Sequence, residues 1–178
     1  EDGIEINGCG IEGFQRSPSV LHAGNSGTAL RFLIGLTSRL NFLSMVDGDA
    51  TLRNRNHSDL LNSITSLGVN FSYGIEQERL PILAHGPWEG TELSVDVSRS
   101  SQPYSSLLLA TCGLKDTMTI KSIGGAVSRR HAALTIDLMR ECGASIDVQN
   151  DATTIPPWES NPPSQWNVPS DASMTVSY

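Results

Sequence analysis

Apolar residues along this chain recur at two spacings, one typical of helices and the other of strands. In the first half, leucine and isoleucine repeat every three to four residues in two segments, and shorter runs alternate between apolar and polar positions. The helical spacing predicts helices at residues 28–38 and about 59–67. The alternating runs predict strands at residues 3–7, 41–46, 70–73 and 80–84. Gly68 predicts the end of the second helix, since glycine readily adopts the left-handed conformation found there.

The second half of the chain repeats this order. Helices are predicted at residues 101–112 and 130–142, and strands at residues 93–97, 117–123, 145–149 and 153–155. Gly143 corresponds to Gly68 and Ile136 to Leu61, each pair 75 positions apart. A constant offset between matching elements indicates an internal duplication. We therefore predict two copies of a βαβαββ unit.

This order of elements predicts an α/β fold in which helices pack on sheets and each βαβ segment contains a parallel pair of strands. In the last helix, Leu134, Leu138 and Met139 are expected to face the core. Residues 1–155 would form the two units of one domain. Residues 156–178 are rich in proline and predict a loop leading away from it.

The charge of the chain narrows the ligands that it could bind. Its 178 residues carry a net charge of −7, which disfavours nucleic acids and anionic membranes as partners, because both need a broad basic surface. Ten of the twelve basic residues are arginine, whose planar group binds carboxylates and phosphates through paired hydrogen bonds. We therefore expect a local anion site on an acidic protein.

The cysteines indicate neither a disulfide framework nor a zinc site. They are odd in number and lack the CxxC spacing, so we expect Cys9, Cys112 and Cys142 to be buried thiols and no metal to be bound. No apolar run is as long as a membrane span, and the acidic start does not resemble a signal peptide. We expect a cytoplasmic protein. Because the sequence stops inside a segment that reads as the start of a helix, we also expect a fragment.

Residues 22–33 give the clearest functional signal. Gly24 and Gly27 let the backbone approach a ligand closely, and the free N–H groups of the following helix would point at it. Arg31, one turn after Gly27, could add a guanidinium group. Asn25 lies in the same loop and is a further candidate. The same pattern would also suit an ordinary capped helix.

Three other segments place hydroxyl, amide or basic side chains before predicted helices, and such side chains suit an anionic ligand. They are residues 53–55, 98–102 and 128–131. Taken singly, Ser100 or Ser128 is more often an ordinary cap, and His131 a surface residue of a first turn. Taken together, they favour a binding site.

Four motifs occur in order along nearly the whole chain. They read GNSGTALR at residues 24–31, GDATLRNR at 48–55, SSQ at 100–102 and SRRH at 128–131. In this combination they resemble the EPSP synthase family, the 3-phosphoshikimate 1-carboxyvinyltransferases, whose patterns include GDxSLxxRPM and SRDHTE. The resemblance implies an EPT/RTPC-like inside-out α/β domain of three βαβαββ units, of which two would be complete here and the third incomplete.

The resemblance also implies a reaction and its binding residues. The enolpyruvyl group of phosphoenolpyruvate would pass to the 5-hydroxyl of shikimate 3-phosphate in aromatic amino acid (chorismate) biosynthesis, with release of phosphate and no cofactor. The phosphoenolpyruvate-binding residues would be Gly27, Thr28, Arg55 and Gln102. The shikimate 3-phosphate-binding residues would be Ser100, Ser101, Gln102, Ser128 and Arg129. Further candidates are Arg31, Asn25 and His131, although Arg31 could instead brace its loop.

The chain departs from the family pattern at three positions. Asn56 stands where the family has proline, and Arg130 and Ala133 replace acidic residues of the SRDHTE motif. The family's lysine-serine segment and its second domain, with an acid/base aspartate, do not occur in this sequence. Residues 169–173 resemble the segment where the family chain starts its crossover towards that second domain. We therefore expect half of a cleft, inactive alone, whose partner is that second domain.

Two other functions stay open. A related enolpyruvyl transferase could act on a UDP-sugar or a specialised metabolite. A non-catalytic domain could bind phosphorylated ligands without converting them. Binding of shikimate 3-phosphate would separate these cases.

Overall fold

The first half of the chain folds around a four-stranded sheet. The computed structural model describes residues 4–125 and 129–166. The elements of this half are β1 (Leu21–His22), α1 (Gly27–Thr37), β2 (Ser44–Asp47), α2 (Ala50–Arg53), α3 (Ser58–Thr65), β3 (Asn70–Tyr73) and β4 (Ile82–His85), preceded by a 3-10 helix at Ile11–Gly13. The strands lie in the order β1-β2-β4-β3, with β1 parallel to β2 and the other pairs antiparallel.

The second half repeats this sheet. Its elements are β5 (Glu92–Asp96), α4 (Gln102–Ala110), β6 (Met118–Ile123), α5 (Arg129–Glu141), β7 (Asp147–Gln149) and β8 (Ala152–Ile155). The strand order is β5-β6-β8-β7, again with only the first pair parallel. The predicted α/β fold of repeated βαβαββ units is confirmed. Gly68 and Gly143 have φ angles of +86° and +100°, the left-handed conformation expected just after α3 and α5.

The two units share one core where α1 and α4 pack together. Leu30 and Leu107 are fully buried there. Gly35 allows the two helices to approach closely, because a β-carbon at this position would clash with Ser106 Oγ and lie 3.1 Å from the Ser106 carbonyl oxygen. The Ser106 hydroxyl in turn donates to the Arg31 carbonyl at 2.6 Å. This packing brings the N-termini of α1 and α4 side by side.

The prediction of a first strand at residues 3–7 is wrong for the described part of that segment. Residues 4–10 form no strand, and the side chains of Ile4 and Ile6 are 92% and 84% exposed. Alternation shows which face a strand would bury, but a strand also needs a hydrogen-bonded neighbour. Here β1 takes the place beside β2.

The prediction for the buried face of α5 is also wrong in part. Met139 is buried as expected, but Leu134 and Leu138 are 56% and 39% exposed, and Ile136 is buried instead. The helix carries two apolar strips, and periodicity alone cannot say which of them meets the core. The packing of α5 against α4 decides it.

The cysteines are more exposed than predicted. Cys9 is exposed, and Cys112 and Cys142 are half-buried. The latter two follow the ends of α4 and α5 rather than lying inside these helices, so part of each side chain reaches the surface.

The proline-rich segment packs against the second unit where the structure describes it. Trp158 Nε1 donates to Thr111 Oγ1 at 3.0 Å, and the Gly113 N–H donates to the Trp158 carbonyl at 2.8 Å. Residues 156–166 contain no helix or strand. The described residues form two units, and the segment expected to start a crossover, residues 169–173, lies outside them. Within the described ranges, no helix is long and apolar enough to cross a membrane.

Candidate anion-binding site

The N-terminus of α1 is a capped helix start facing the second unit. Ser26 is the N-cap residue, and its Oγ accepts from the Ala29 N–H at 3.1 Å. Gly24, with a φ angle of +60°, turns the preceding loop, and its N–H donates to His22 Nδ1 at 3.1 Å. The loop thus leaves the first turn of α1 open on the side of Gly27.

A second loop is held against the first by Asp49. Its N–H donates to the Gly24 carbonyl at 2.8 Å, and its Oδ1 accepts from the Leu52 N–H at 2.9 Å, which caps α2. The chain leaves α2 at Arg53 and reaches Arg55 two residues later. This arrangement brings Arg55 close to the start of α1.

Arg53 and Arg55 have different surroundings. The Arg53 Nε donates to Asp47 Oδ1 at 3.0 Å, and the two side chains form an ion pair. The hydrogen bonds from Arg53 lower the pKa of Asp47. Arg55 is not among the ion pairs of the described residues, so its charge is available to a ligand.

Gln102, the first residue of α4, links the two helix starts. Its Oε1 accepts from Arg31 Nη1 at 2.9 Å, and its Nε2 donates to Thr28 Oγ1 at 3.0 Å. Arg31 Nη1 also donates to the Gly27 carbonyl at 3.0 Å. One amide therefore fixes side chains from both units. Arg31 is held in place by its own helix as well as by α4, as expected of a residue that braces its loop.

Arg31 and Arg55 approach the same space beside Gly27. A β-carbon added at Gly27 would lie 3.0 Å from Arg31 Nη1, 3.8 Å from Arg55 Nη1 and 3.7 Å from Gln102 Oε1. Burial lowers the pKa of Arg31, and the charge of Arg55 lowers it further. Within the described ranges neither guanidinium group forms an ion pair with a carboxylate, and both lie next to a helix N-terminus, which favours an anion at this point.

A cavity of about 370 Å³ continues from this point along the starts of α4 and α5. Its lining residues are Thr28, Phe32, Arg99, Ser100, Ser101, Gln102, Ser105, His131, Leu134 and Thr135. Ser100 Oγ accepts from the Gln102 N–H at 3.1 Å, while Ser101 occupies the N-cap position without a side-chain capping bond. Five of the lining residues carry a hydroxyl group and Gln102 carries an amide, while Phe32 and Leu134 contribute apolar surface. Among the described residues, no cluster of three or more His, Cys, Asp or Glu could hold a metal ion.

Comparison with known proteins identifies the family of this chain. The family model for EPSP synthase (3-phosphoshikimate 1-carboxyvinyltransferase) matches residues 1–178. The chain belongs to the EPSP synthase family. Among curated relatives, the 3-phosphoshikimate 1-carboxyvinyltransferase of Methanothrix thermoacetophila is 34% identical over 97% of this chain and 40% of its own length. That of Caldivirga maquilingensis is 34% identical over 82% of this chain and 34% of its own length. This chain thus spans about two fifths or less of such relatives.

Solved structures share the fold of this EPSP synthase family chain. EPSP synthase from Acinetobacter baumannii superposes with a TM-score of 0.74 at 23% identity, covering 90% of this chain and 36% of that one. The enolpyruvyl transferase NikO from Streptomyces tendae gives a TM-score of 0.53 at 17% identity, covering 75% and 31%. At these identities the structural likeness concerns the fold.

The structure brings together many of the residues that the EPSP synthase resemblance singled out. Gly27, Thr28, Arg31, Arg55 and Gln102 meet at the contact of α1 with α4. The cavity beside them is lined by Ser100, Ser101 and His131. Asn25 lies exposed in the loop before α1. Ser128 and the side chain of Arg129 lie outside the described residues, although Arg129 begins α5.

Five lining residues were not predicted as candidates. They are Phe32, Arg99, Ser105, Leu134 and Thr135. Arg99 lies in a segment that was singled out and could have been included for its charge. The other four are one or more turns into helices, and a hydroxyl pair, Ser105 Oγ to Thr135 Oγ1 at 2.8 Å, joins α4 to α5. Only the packing of these helices reveals that they border the cavity.

Proposed function

We propose that this chain forms one side of the substrate cleft of a 3-phosphoshikimate 1-carboxyvinyltransferase. The observation that supports the proposal most strongly is the contact of Gln102 with Thr28 and Arg31, which joins the start of α1 to the start of α4 beside a cavity with hydroxyl groups in its lining. The family's two substrates are both anionic, and one of them also carries hydroxyl groups. An arginine-lined point next to a hydroxyl-lined cavity suits such a pair.

Phosphoenolpyruvate would bind at the point where the two guanidinium groups meet. Gly27 leaves room for it, Thr28 and Gln102 supply neutral hydrogen-bonding groups, and Arg55 supplies charge. We assign Arg31 to positioning Gln102, because its guanidinium is already bonded to that side chain and to the Gly27 carbonyl. The space beside Gly27 is thereby built from both units.

Shikimate 3-phosphate would occupy the cavity along α4 and α5. Ser100, Ser101 and Gln102 would bind its hydroxyl and phosphate groups from the start of α4. Ser128 and Arg129, assigned by resemblance, would bind the phosphate from the start of α5. The 5-hydroxyl would then lie beside Gln102, facing the enolpyruvyl group. The residues of this chain bind and orient both substrates in this scheme.

The remaining part of the proposed enzyme would close the cleft from the opposite side. This chain spans 40% of the length of the relative from Methanothrix thermoacetophila, so most of that enzyme's residues have no counterpart here. Groups that transfer protons to and from the substrates would come from that second domain. Charged groups from both sides, with water excluded between them, would stabilise the developing charge. The proposal includes a cytoplasmic location, which rests on the sequence alone.

Calorimetric titration with each substrate tests the proposal. Arg129→Ala should weaken shikimate 3-phosphate binding about tenfold to a hundredfold, the loss of one charged hydrogen bond worth about 1.5–3 kcal/mol. Arg55→Ala should spare that ligand by comparison, because we assign this residue to phosphoenolpyruvate. Arg140→Ala removes the same charge from the last turn of α5 and should leave both affinities unchanged.

The alternatives predict different titrations. Equal losses in Arg129→Ala and Arg55→Ala would contradict the assignment of separate subsites. Binding of inorganic phosphate with no preference for shikimate 3-phosphate would favour a non-catalytic phospho-ligand domain. Binding of neither substrate by the folded chain would contradict the proposed function.

A further inference from the structure

His57 is a buried histidine at the edge of the candidate site. It precedes α3 and is only 3% exposed. Its Nε2 lies 3.2 Å from the Leu52 carbonyl oxygen. A carbonyl can only accept, so Nε2 carries the hydrogen and Nδ1 bears a lone pair in the neutral ring. Nδ1 is the one buried side-chain polar atom without a hydrogen-bond partner in the part of the chain that the structure describes.

His57 closes the segment that contains Arg55. The Leu52 carbonyl that receives its Nε2–H also accepts from the Arg55 N–H at 3.1 Å. The backbone of His57 is fixed as well, because its N–H donates to the Glu78 carbonyl at 3.0 Å and its carbonyl accepts from the Leu60 N–H at 3.2 Å. Residues 52–57 thus form a small loop tied at both ends, with Arg55 inside it.

The surroundings of His57 disfavour its charged form. Burial lowers the pKa of this imidazole most strongly, and the hydrogen bond to the Leu52 carbonyl opposes it by raising the pKa. The charges of Arg31 on α1 and Arg55 on the loop lower the pKa further, and the net direction is downward. Neither nearby carboxylate is hydrogen-bonded to the ring. The charge of Asp59 on α3 raises the pKa of Arg31. The Glu78 carboxylate, from the loop between β3 and β4, accepts from Asn56 Nδ2 at 3.1 Å. A proton on Nδ1 would be a buried donor without an acceptor and a third cation beside two arginines.

We propose that His57 is a pH-sensitive positioning residue for Arg55. Its neutral ring holds residues 52–57 closed through the bond from Nε2 to the Leu52 carbonyl, which keeps Arg55 beside Gly27. Protonation makes the buried position unfavourable, so the ring leaves it, the bond breaks and Arg55 loses its fixed place. The inference rests on the proposed function only in taking Arg55 as a phosphoenolpyruvate ligand.

A bound anion would have an opposing effect on His57. By neutralising Arg31 and Arg55, the ligand would make a positive His57 less unfavourable. These two charges, however, contribute less to the low pKa than burial does. The ligand changes neither the burial of the ring nor the lack of a partner for Nδ1, so we expect a proton on His57 to weaken anion binding.

The direct test follows Arg55 by nuclear magnetic resonance of the isotope-labelled 178-residue chain without ligand. The Arg55 amide signal should shift in a single step between pH 7.5 and 5. The midpoint of this step should lie below pH 6.5 and coincide with the midpoint of the His57 ring signals. In His57→Gln, the new side chain can donate from Nε2 to the same carbonyl but cannot titrate. Its Arg55 amide signal should match that of the unmodified chain at pH 7.5 and should show no step with pH. His57→Met, which lacks the donor, should displace the Arg55 signal at every pH.

Phosphoenolpyruvate titrations give the functional readout. The affinity of the unmodified chain should fall twofold at the His57 midpoint and about tenfold one pH unit lower, because the apparent Kd is inversely proportional to the competent fraction. Protonation of the ligand itself affects all variants equally. At each pH, the Kd of a chain is therefore divided by the Kd of His57→Gln. His85→Gln replaces an exposed histidine on β4 and should retain the full pH effect.

The possible outcomes separate this inference from the proposed function. If the Arg55 signal of the unmodified chain does not shift at the same pH as the His57 ring signals, the proposed role of His57 is wrong. This measurement requires no substitution. A step that persists in His57→Gln would overturn it too. Failure of phosphoenolpyruvate to bind at any pH would contradict the proposed ligand of Arg55, while the Arg55 signal would still decide whether His57 positions it.

Discussion

Replacement of Gly27 by alanine tests the geometry of the candidate site most directly. Gly27 is the first residue of α1, and its φ angle is not among the positive ones, so the backbone accepts a side chain there. The added methyl group would lie 3.0 Å from Arg31 Nη1, closer than an ordinary van der Waals contact of about 3.5–4.0 Å. It would also lie within 4 Å of Arg55 Nη1 and Gln102 Oε1, in the space that we assign to phosphoenolpyruvate.

The expected result is a selective loss of phosphoenolpyruvate affinity. The methyl group must displace Arg31 by a few tenths of an ångström or occupy ligand space, and either change can remove one charged hydrogen bond. Such a bond is worth about 1.5–3 kcal/mol, which corresponds to a Kd about ten to a hundred times higher. Shikimate 3-phosphate should lose less, since its proposed ligands lie at the starts of α4 and α5. Calorimetry with each ligand measures the difference.

Gly35→Ala is the matched control, because it adds the same methyl group to the same helix. There the methyl group would clash with Ser106 Oγ and separate α1 from α4. Gly35→Ala should therefore lower the Tm, whereas Gly27→Ala should leave it nearly unchanged. Unaltered phosphoenolpyruvate binding by Gly27→Ala, or an equal loss for both ligands, would refute the assignment of this space.

Three further results are expected. The purified 178-residue chain should release no measurable phosphate from phosphoenolpyruvate plus shikimate 3-phosphate, since we assign proton transfer to groups outside these residues; a phosphate assay that detects turnover would contradict this. Arg53→Ala should lower the free energy of unfolding at pH 7, because Arg53 lowers the pKa of Asp47. That stabilisation is lost as pH falls through the lowered pKa, so the difference should vanish in urea unfolding at a pH below it. Leu107→Ala should reduce stability by about 2–5 kcal/mol in urea unfolding, as expected for a fully buried leucine, and a loss below about 1 kcal/mol would contradict its place in the core.

Local chemistry made the duplicated fold predictable. Gly68 and Gly143 end equivalent helices because each adopts a left-handed conformation that suits glycine. The predicted helix at residues 28–38 corresponds to α1 at Gly27–Thr37, and the strand at residues 70–73 coincides with β3. In these cases, the residues that determine an element lie within it, so the sequence pattern is sufficient.

The sequence does not predict which of two possible segments or faces an element packs against. The exposed face of α5 depends on which of two apolar strips enters the core, and Leu134 and Leu138 lie on the strip that does not. The place of β1 depends on which segment pairs with β2. The short helix α2 was missed, because four residues give too little periodicity to detect. The buried ring of His57 gives no signal in the sequence, since its environment comes from Leu52, Arg31 and the loop at Glu78.

The duplication also explains why the candidate site lies between the two units. Gly27 and Gln102 are the first residues of equivalent helices, 75 positions apart, and Arg31 and Ser106 are related by the same offset. Each pair of equivalent positions meets across the contact of α1 with α4, so a repeat places matching helix starts side by side. The equivalent residues Gly27 and Gln102 nonetheless have different roles. Gly27 leaves space beside its helix, whereas the side chain of Gln102 extends across that space. Exchanging them would fill the space with a side chain and remove the bridge, so the site depends on the difference between the two copies as much as on their similarity.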